Sequence, residues 1–587
     1  MNTYALDYES YYDKDCSIKK LGPMGYFNHP NFDAYLMSVV GDEGTKWVGH
    51  PKDFDWEKLK GQRVLSHNAS FDETLYLLGV KKKWWPNVDY AEWHCTADMA
   101  AFCGLPRSLK GATTELFDLE VDKSTRDNMN GKSWQDMPED FKKEVSEYAL
   151  KDSELCLRLW EALEKEWPQR EKDISVAGRR IVQRGIPIDL ELLKKQKESV
   201  SQLLFDSENR IPWIEEAPPL SRKAFNEECR RLNIEPPASL ALSSEEANEW
   251  INKYGKEYAW IESVRDYRRI NALKRKLEAF DYATLSDSRF YGGLMYHGAH
   301  TGRWSGSGGN LNLQNLPRGD LFGTNLRSLI SPKPGNKLIV ADLSQIEVRT
   351  LAWLSKDKAA LHTIETSADI YEGFAIHFRQ WDPKGDSSLK DKDPSLRHKV
   401  KQMVLGCGYG ASPAKFAIMS GLPLWESKIS VMIYRKHMGG VVKFWNELSR
   451  KMHMAYSKGE ELVFPLPSGR SLNYGKITTA LQKGKRNYIS MVTKGSKKIP
   501  VRLWGGLLAE NLSQALARCI FADMLLRVES LGLKIIFHVH DELIIECKEG
   551  DAEETLRSVI ESMSTPPDWI PDIPLKAEGK ILDRYEK

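Results

Sequence analysis

No run of eighteen apolar residues occurs in the 587-residue chain, so no membrane-crossing helix is expected and no membrane is expected as a partner. The opening MNTYALDYES has no basic stretch leading into an apolar core, which argues against a secretory signal. The eight cysteines, at 16, 95, 103, 156, 229, 407, 519 and 547, contain no CxxC pair. That spacing argues against a zinc site and a disulfide framework, and it fits a reducing cytoplasm. Internal repeats and low-complexity tracts are also lacking, which removes solenoid and array architectures.

What is present fits a globular chain of two to four domains. Hydrophobic residues make up 41% and charged residues 28%, both ordinary. Eighteen tryptophans imply large aromatic cores or stacking surfaces without choosing between them. The net charge of +2 hides an asymmetry: residues 1–170 hold 22 basic and 30 acidic residues (net −8), and 171–587 hold 62 and 52 (net +10). Unless the asymmetry is chance, the larger part attracts a polyanion and the smaller part concentrates carboxylates.

The first 170 or so residues read as an α/β unit. A strand over Thr3–Tyr8 opens it, and a helix from about Pro138 to Trp167 carries Val145, Tyr148, Ala149, Leu155, Leu159 and Leu163 at helical steps, with Pro168 closing it. The segment 181–193 looks like the entry to a second unit, and 190–280 is mostly helical in pattern. Arg265, Arg268, Arg269, Lys274, Arg275 and Lys276 form a basic cluster there; a solvated helix face is the commoner reading, a phosphate contact the alternative. Residues 298–318 form a long Gly/Ser/Asn-rich loop, a length that usually signals function.

Two sets of residues carry chemistry. Asp7 and Glu9 stand at i and i+2 in a strand and so share a face. Two adjacent carboxylates are costly without cations, and hard oxygen ligands suit Mg²⁺ or Mn²⁺. Asp72 begins a helical pattern in HNASFDETLY, and Tyr148 and Asp152 lie one turn apart. In the second set, the apolar run Leu338–Ala341 reads as a buried strand with Asp342 at its end. Asp342 is a metal ligand or, more commonly for such a position, a helix N-cap. Residues 534–548 read as an apolar hairpin with His540, Asp541 and Glu542 near its turn, and Arg397, Lys401 and Leu405 recur along one helical face before glycines at 406, 408 and 410. Arg397 and Lys401 suit a triphosphate; an exposed basic helix is the alternative.

The order DxE, NxxxFD, YxxxD resembles the three motifs of DEDD-type 3′→5′ proofreading exonucleases. The resemblance implies an RNase H-like domain over 1–172, with Asp7, Glu9, Asp72 and Asp152 as metal ligands and Tyr148 orienting the attacking water. Asp342-Leu-Ser-Gln-Ile-Glu-Val-Arg349, the Arg397–Gly410 segment and Val539–Glu542 resemble motifs A, B and C of family A (DNA polymerase I type) DNA polymerases. TGR at 301–303 and NLQNLP at 312–317 match that family too. The implied fold is an α/β plus α+β multidomain chain: the exonuclease domain, then a right-hand polymerase over 173–587. Its thumb covers about 173–290, its palm about 291–355 and 505–587, and its fingers about 356–504.

The resemblance also assigns roles. Asp342 and Asp541 hold two Mg²⁺ (or Mn²⁺) ions at the polymerase centre, as the exonuclease carboxylates do at theirs, with Glu542 and Lys401 beside the chemistry. Arg397, Lys401, Leu405, Tyr409, Gln345 and Glu347 line the nucleotide site; Arg303, Gln314, Asn315 and His540 contact DNA. Leu405 stands where the family has an aromatic, and Asp369-Ile370-Tyr371 where it has DIH. The 5′ nuclease domain of cellular repair enzymes is expected to be absent, an architecture resembling bacteriophage replicative polymerases. Expected partners are primer-template DNA, dNTPs and, left open, replisome accessory factors; the expected location is the cytoplasm, the host's for a phage protein. Two rival functions, a single-subunit RNA polymerase and an inactive nucleic-acid-binding scaffold, are disfavoured by Glu347 and by the complete set of carboxylates.

Overall fold

The computed structural model describes residues 1–119, 124–240, 244–307, 311–383, 388–482, 485–495 and 497–586; of the loop 298–318, residues 308–310 lie outside them. The chain opens with a five-stranded sheet of order β3-β2-β1-β4-β5, formed by β1 (Thr3–Glu9), β2 (Leu36–Gly41), β3 (Lys46–Gly49), β4 (Arg63–Ser66) and β5 (Glu92–Cys95). β1 runs antiparallel to β2 and parallel to β4. The helix Glu139–Leu163 lays its apolar stripe, Val145, Ala149, Leu155 and Leu159, across β1 and β2. It stops four residues short of the expected Trp167. A single 3₁₀ turn follows, and Pro168 flanks the next helix, Gln169–Arg184, because its fixed φ suits a helix start. Many of the tryptophans are core: Trp56, Trp85 and Trp93 are buried in this unit, with Trp56 stacked on Trp85.

The boundary expected at 172 falls inside the helix Gln169–Arg184. That helix ties both halves together. Arg179 Nε reaches Glu73 Oε2 at 2.8 Å on the side of the first sheet. Arg184 grips both oxygens of Glu529 at 2.5 and 2.6 Å, and Arg170 pairs with Asp523.

A second sheet lies between two helical layers. Its order is Ile535–Val539, Glu542–Lys548, Asn336–Leu343, Ala577–Leu582, every neighbour antiparallel. Side chains alternate along its strands. Ile339, Ala341, Leu543 and Ile545 pack on the helix Gly505–Ser530 through Leu516, Ile520 and Met524. Leu338, Val340 and Ile544 face the long helices Leu190–Glu208 and Ala259–Ala283. Both faces are covered, which is why these strands read as continuous apolar runs rather than as an alternation.

The basic cluster on Ala259–Ala283 is partly spent within the protein: Arg269 lies over the Phe322 ring, 4.8 Å from its centroid, and 3.4 Å from Asp266. The helices from Ile346–Leu354 to Gly439–Lys458 form a further layer. Strands Glu461–Pro465 and Ser471–Lys476 follow, then a three-stranded sheet over 478–503 whose far end docks on the first unit. There Arg107 N–H donates to the Gly495 carbonyl at 3.2 Å and Thr493 Oγ1 to the Gly104 carbonyl at 2.7 Å.

Candidate active sites

In the first unit, β1 delivers Asp7 and Glu9, the first turn of the helix Ala69–Lys81 delivers Asp72, and Glu139–Leu163 delivers Tyr148 and Asp152. All five line one open cleft. Asn68 enters the second helix at φ +86, in the left-handed region, so the chain turns sharply there and the first helical turn faces β1. Tyr8 N–H donates to Asp72 Oδ1 at 3.4 Å.

Burial and mutual repulsion govern the charges. Burial, then Glu9 and Asp152, push Asp7 well above the usual carboxylate range. Burial and Asp152 push Glu9 up to about 8, and burial with Asp7 raises Asp72. Burial, then the Asp152 charge, keeps the Tyr148 phenol protonated. Arg126, on the short helix Ser124–Asn128, also lines this cleft and opposes the rise at Asp7 and Glu9. The sequence reading missed it: five polar residues carry no periodicity that would set one of them apart.

In the second unit, Asp342 lies within the strand Asn336–Leu343, directly opposite Glu542 in the ladder. It is not the N-cap of the next helix. That place belongs to Gln345, at φ +50, which turns the chain from the strand into Ile346–Leu354. Such a conformation in a non-glycine residue is costly and marks functional turns. Val539 pairs with Glu542, so His540 (φ +55) and Asp541 form a two-residue hairpin turn beside Asp342. Leu343 N–H donates to the Asp541 carbonyl at 3.1 Å. Burial raises the Asp541 carboxyl to about 6, with Asp342 and Glu347 adding to the rise and Arg303 opposing it.

Arg303, Gln314, His540 and Asp541 line one small pocket; Asn315, next to Gln314, points to solvent. The Glu347 carboxylate is shared, receiving Arg303 Nη2 at 2.6 Å and Tyr409 Oη at 3.5 Å. Glu542 is buried and accepts from Tyr585 Oη at 2.6 Å.

The helix Pro394–Cys407 carries Arg397, Lys401 and Leu405. Arg397 Nε reaches Asp369 Oδ2 at 2.6 Å. The buried Tyr371 ring lies beneath both cations, 5.2 Å from the Arg397 guanidinium and 5.9 Å from Lys401 Nζ. The residue that departs from DIH thus seats the two basic side chains. Leu405 is 38% exposed.

The donor sets fit divalent ions. Both centres offer carboxylate oxygens, the ligands hard cations prefer, and in both, burial strains the ionised form that a cation would relieve. As they stand, no three such side chains among the described residues close into a ready coordination shell, in keeping with their repulsion.

Both the sheet that carries Asp342 and Asp541 and the helical layers around it belong to a mixed α/β polymerase fold with thumb, palm and fingers. The fold is shared with the polymerase domain of Pol1 from M. smegmatis, solved in complex with DNA primer-template and dNTP. The TM-score is 0.72 at 19% identity, covering 100% of this chain and 95% of that one. Residues 232–461 match the model for DNA polymerase family A. A DNA polymerase of Bacillus phage SP02 is 26% identical with both chains covered in full. DNA polymerase I of Borreliella burgdorferi is 24% identical over 72% of this chain and 46% of its own length. The thermostable DNA polymerase I of Thermus filiformis is 23% identical over 75% and 51%. The chain thus spans the whole phage relative and about half of these two cellular ones.

Proposed function

We propose that the chain extends a primer 3′ end from dNTPs on a DNA template and removes mispaired 3′ nucleotides at a second centre, in the replication of a phage genome. The observation that carries this reading is the presence of two carboxylate sites in different units, Asp7, Glu9, Asp72 and Asp152 in one and Asp342 with Asp541 in the other. The order β3-β2-β1-β4-β5 supports an RNase H-like exonuclease domain over 1–172. The polymerase over 173–587 divides into thumb (about 173–290), palm (about 291–355 and 505–587) and fingers (about 356–504). The full-length likeness to a phage DNA polymerase and the primer-template and dNTP bound to the M. smegmatis relative support the substrates.

Asp7, Glu9, Asp72 and Asp152 in one set, and Asp342 and Asp541 in the other, would each hold a pair of Mg²⁺ or Mn²⁺ ions, which would supply charge stabilisation at the scissile or α-phosphate. Arg397 and Lys401 neutralise the β- and γ-phosphates. Glu347, held by Arg303 and Tyr409, crowds the sugar 2′ position and so rejects ribonucleotides. Tyr409 stands near the templating base, and Gln345 and Leu405 complete the nucleotide site. Arg303 and His540 meet the primer terminus, with Gln314 and Asn315 on the DNA beside it. In the exonuclease, Tyr148 stays protonated and orients the attacking water. The host cytoplasm completes the setting.

Asp541→Ala should abolish primer extension while sparing digestion of single-stranded DNA, and Asp7→Ala should do the reverse. Each loss should reach ~10²–10³-fold or more, as for removal of a transition-state contact. If both folded variants lose both activities, the two-centre reading is wrong. Efficient use of rNTPs would favour an RNA polymerase instead.

A further inference from the structure

The turn that carries Arg303 rests on two buried arginines. Ala299 N–H donates to the Arg303 carbonyl at 3.1 Å and Gly302 N–H to that of Ala299 at 2.8 Å, with Gly302 at φ +84. Two carbonyls of the turn are then held from below. Thr301 O accepts from Arg470 Nη1 at 2.7 Å, and Gly302 O from Arg518 Nε at 3.0 Å. Arg470 and Arg518 are only 5% and 2% exposed. The Arg518 guanidinium lies between the rings of Tyr296 and Trp304, 5.3 and 4.9 Å from their centroids.

Two such charges need compensation. Among the described residues, Arg518 has one carboxylate within ion-pair distance, Glu171 Oε1 at 2.5 Å, and Arg470 has none. Glu171 is itself buried, and its Oε2 accepts from Tyr296 Oη at 2.6 Å. Burial alone would raise the Glu171 carboxyl, yet the Arg518 charge and hydrogen bond, then the Arg470 charge, bring it down to about 2. This one carboxylate pairs directly with Arg518, feels the Arg470 charge as well, and has Arg170 Nη1 3.7 Å from its Oε1. It comes from the helix Gln169–Arg184, outside the sheet that carries Asp342 and Asp541. Without it the Arg518 charge is buried with no carboxylate partner, and its hold on the Gly302 carbonyl weakens.

We propose that Glu171 is a positioning residue for the polymerase centre: by neutralising Arg518 and Arg470 it fixes the 299–303 turn, and so the Arg303 guanidinium against Glu347 and beside Asp541. The proposal rests on the polymerase reading given above, in which Arg303 meets the primer terminus.

The test is a double-mutant cycle read by single-turnover primer extension. Glu171→Gln keeps the shape and loses the charge. It should slow extension ~10–100-fold, the scale for a reacting group misplaced by about 1 Å, with little change in affinity for primer-template. In an Arg303→Ala background the same substitution should add less than about twofold. A merely structural role would multiply the two losses instead, and that result, or unchanged extension by Glu171→Gln, overturns the proposal. Should Glu171→Gln fail to fold, Arg518→Lys carries the test. It keeps the charge facing Glu171, but a single ammonium cannot bridge both the carboxylate and the Gly302 carbonyl as the guanidinium fork does. Its extension should fall by a similar factor, again only when Arg303 is present; normal extension overturns the proposal. Asp541→Ala separates the failures. If it abolishes extension while the Glu171 and Arg518 variants extend normally, only the coupling falls. If it extends normally, the polymerase reading falls and the coupling with it.

Discussion

Replacing Asp541 with Asn should stabilise the protein while destroying its polymerase activity. Burial raises this carboxyl from its ordinary 3.8 to about 6, so the folded chain holds the proton more tightly than the unfolded chain does. For such a group the stability is fully present below pH 3.8 and is lost as pH rises through about 6. Two units at 1.36 kcal/mol each set an upper bound of about 3 kcal/mol, reduced because the side chain keeps some contact with water. Asn removes the charge and keeps the shape. In chelator at pH 8, Asp541→Asn should therefore melt a few degrees above the parent, given ~2–4 °C per kcal/mol for mid-sized domains. At pH 4, where Asp541 is protonated in the parent, the gap should shrink toward zero. Millimolar Mg²⁺ at pH 8 should narrow it from the other side, because the first centre binds the ion in both proteins and the polymerase centre binds it more tightly in the parent. Calorimetry on the two proteins at both pH values decides the matter. A variant no more stable than the parent at pH 8, or an advantage that does not change with pH, refutes the reasoning.

Other outcomes can be checked as directly. A Cβ at Gly506 would lie 2.2 Å from the Tyr409 carbonyl oxygen, so Gly506→Ala should cost ~1–3 kcal/mol by overpacking. It should also loosen Tyr409 from Glu347, seen as a higher ratio of rNTP to dNTP incorporation. Leu405→Phe places a stacking ring at an exposed position of the nucleotide face; at ~1 kcal/mol per stacked base, KM for dNTP should drop about fivefold in steady-state extension. Because burial pushes Asp7, Glu9 and Asp72 up, Glu9 to about 8, Mn²⁺ binding to the Asp541→Ala protein should release protons at pH 7 and fewer at pH 9. Titration calorimetry in buffers of different ionisation enthalpy would show no such difference if these carboxyls were already ionised at pH 7.

The carboxylates were legible because their chemistry dictates residue type and spacing. Asp7 and Glu9 share a strand face by period two, and Tyr148 and Asp152 share a helix face by period 3.6. The hairpin at 534–548 was legible from its two apolar runs and the short turn between them. Asp342 was harder. A strand end before a helix suggests a cap, and the left-handed Gln345 that takes the cap leaves no trace in local pattern. The strand Lys497–Leu503 is almost wholly exposed and opens on two lysines, so it lacks the apolar alternation that announces a strand; Glu461–Pro465 and Ser471–Lys476 do alternate, but over only five and six residues. The pairing of Glu171 with Arg518 joins positions far apart in the chain, and nothing local marks either residue. The division at 172 likewise falls inside the helix Gln169–Arg184.

That placement matters to anyone who cuts the molecule. A fragment beginning at 173 would discard Glu171 along with Arg170 and leave the Arg518 guanidinium sealed between two aromatic rings without its counter-ion. A shorter polymerase should therefore begin no later than Gln169. Even then it exposes the Arg179 side chain that Glu73 now covers, a wound that one further neutral substitution at 179 would close.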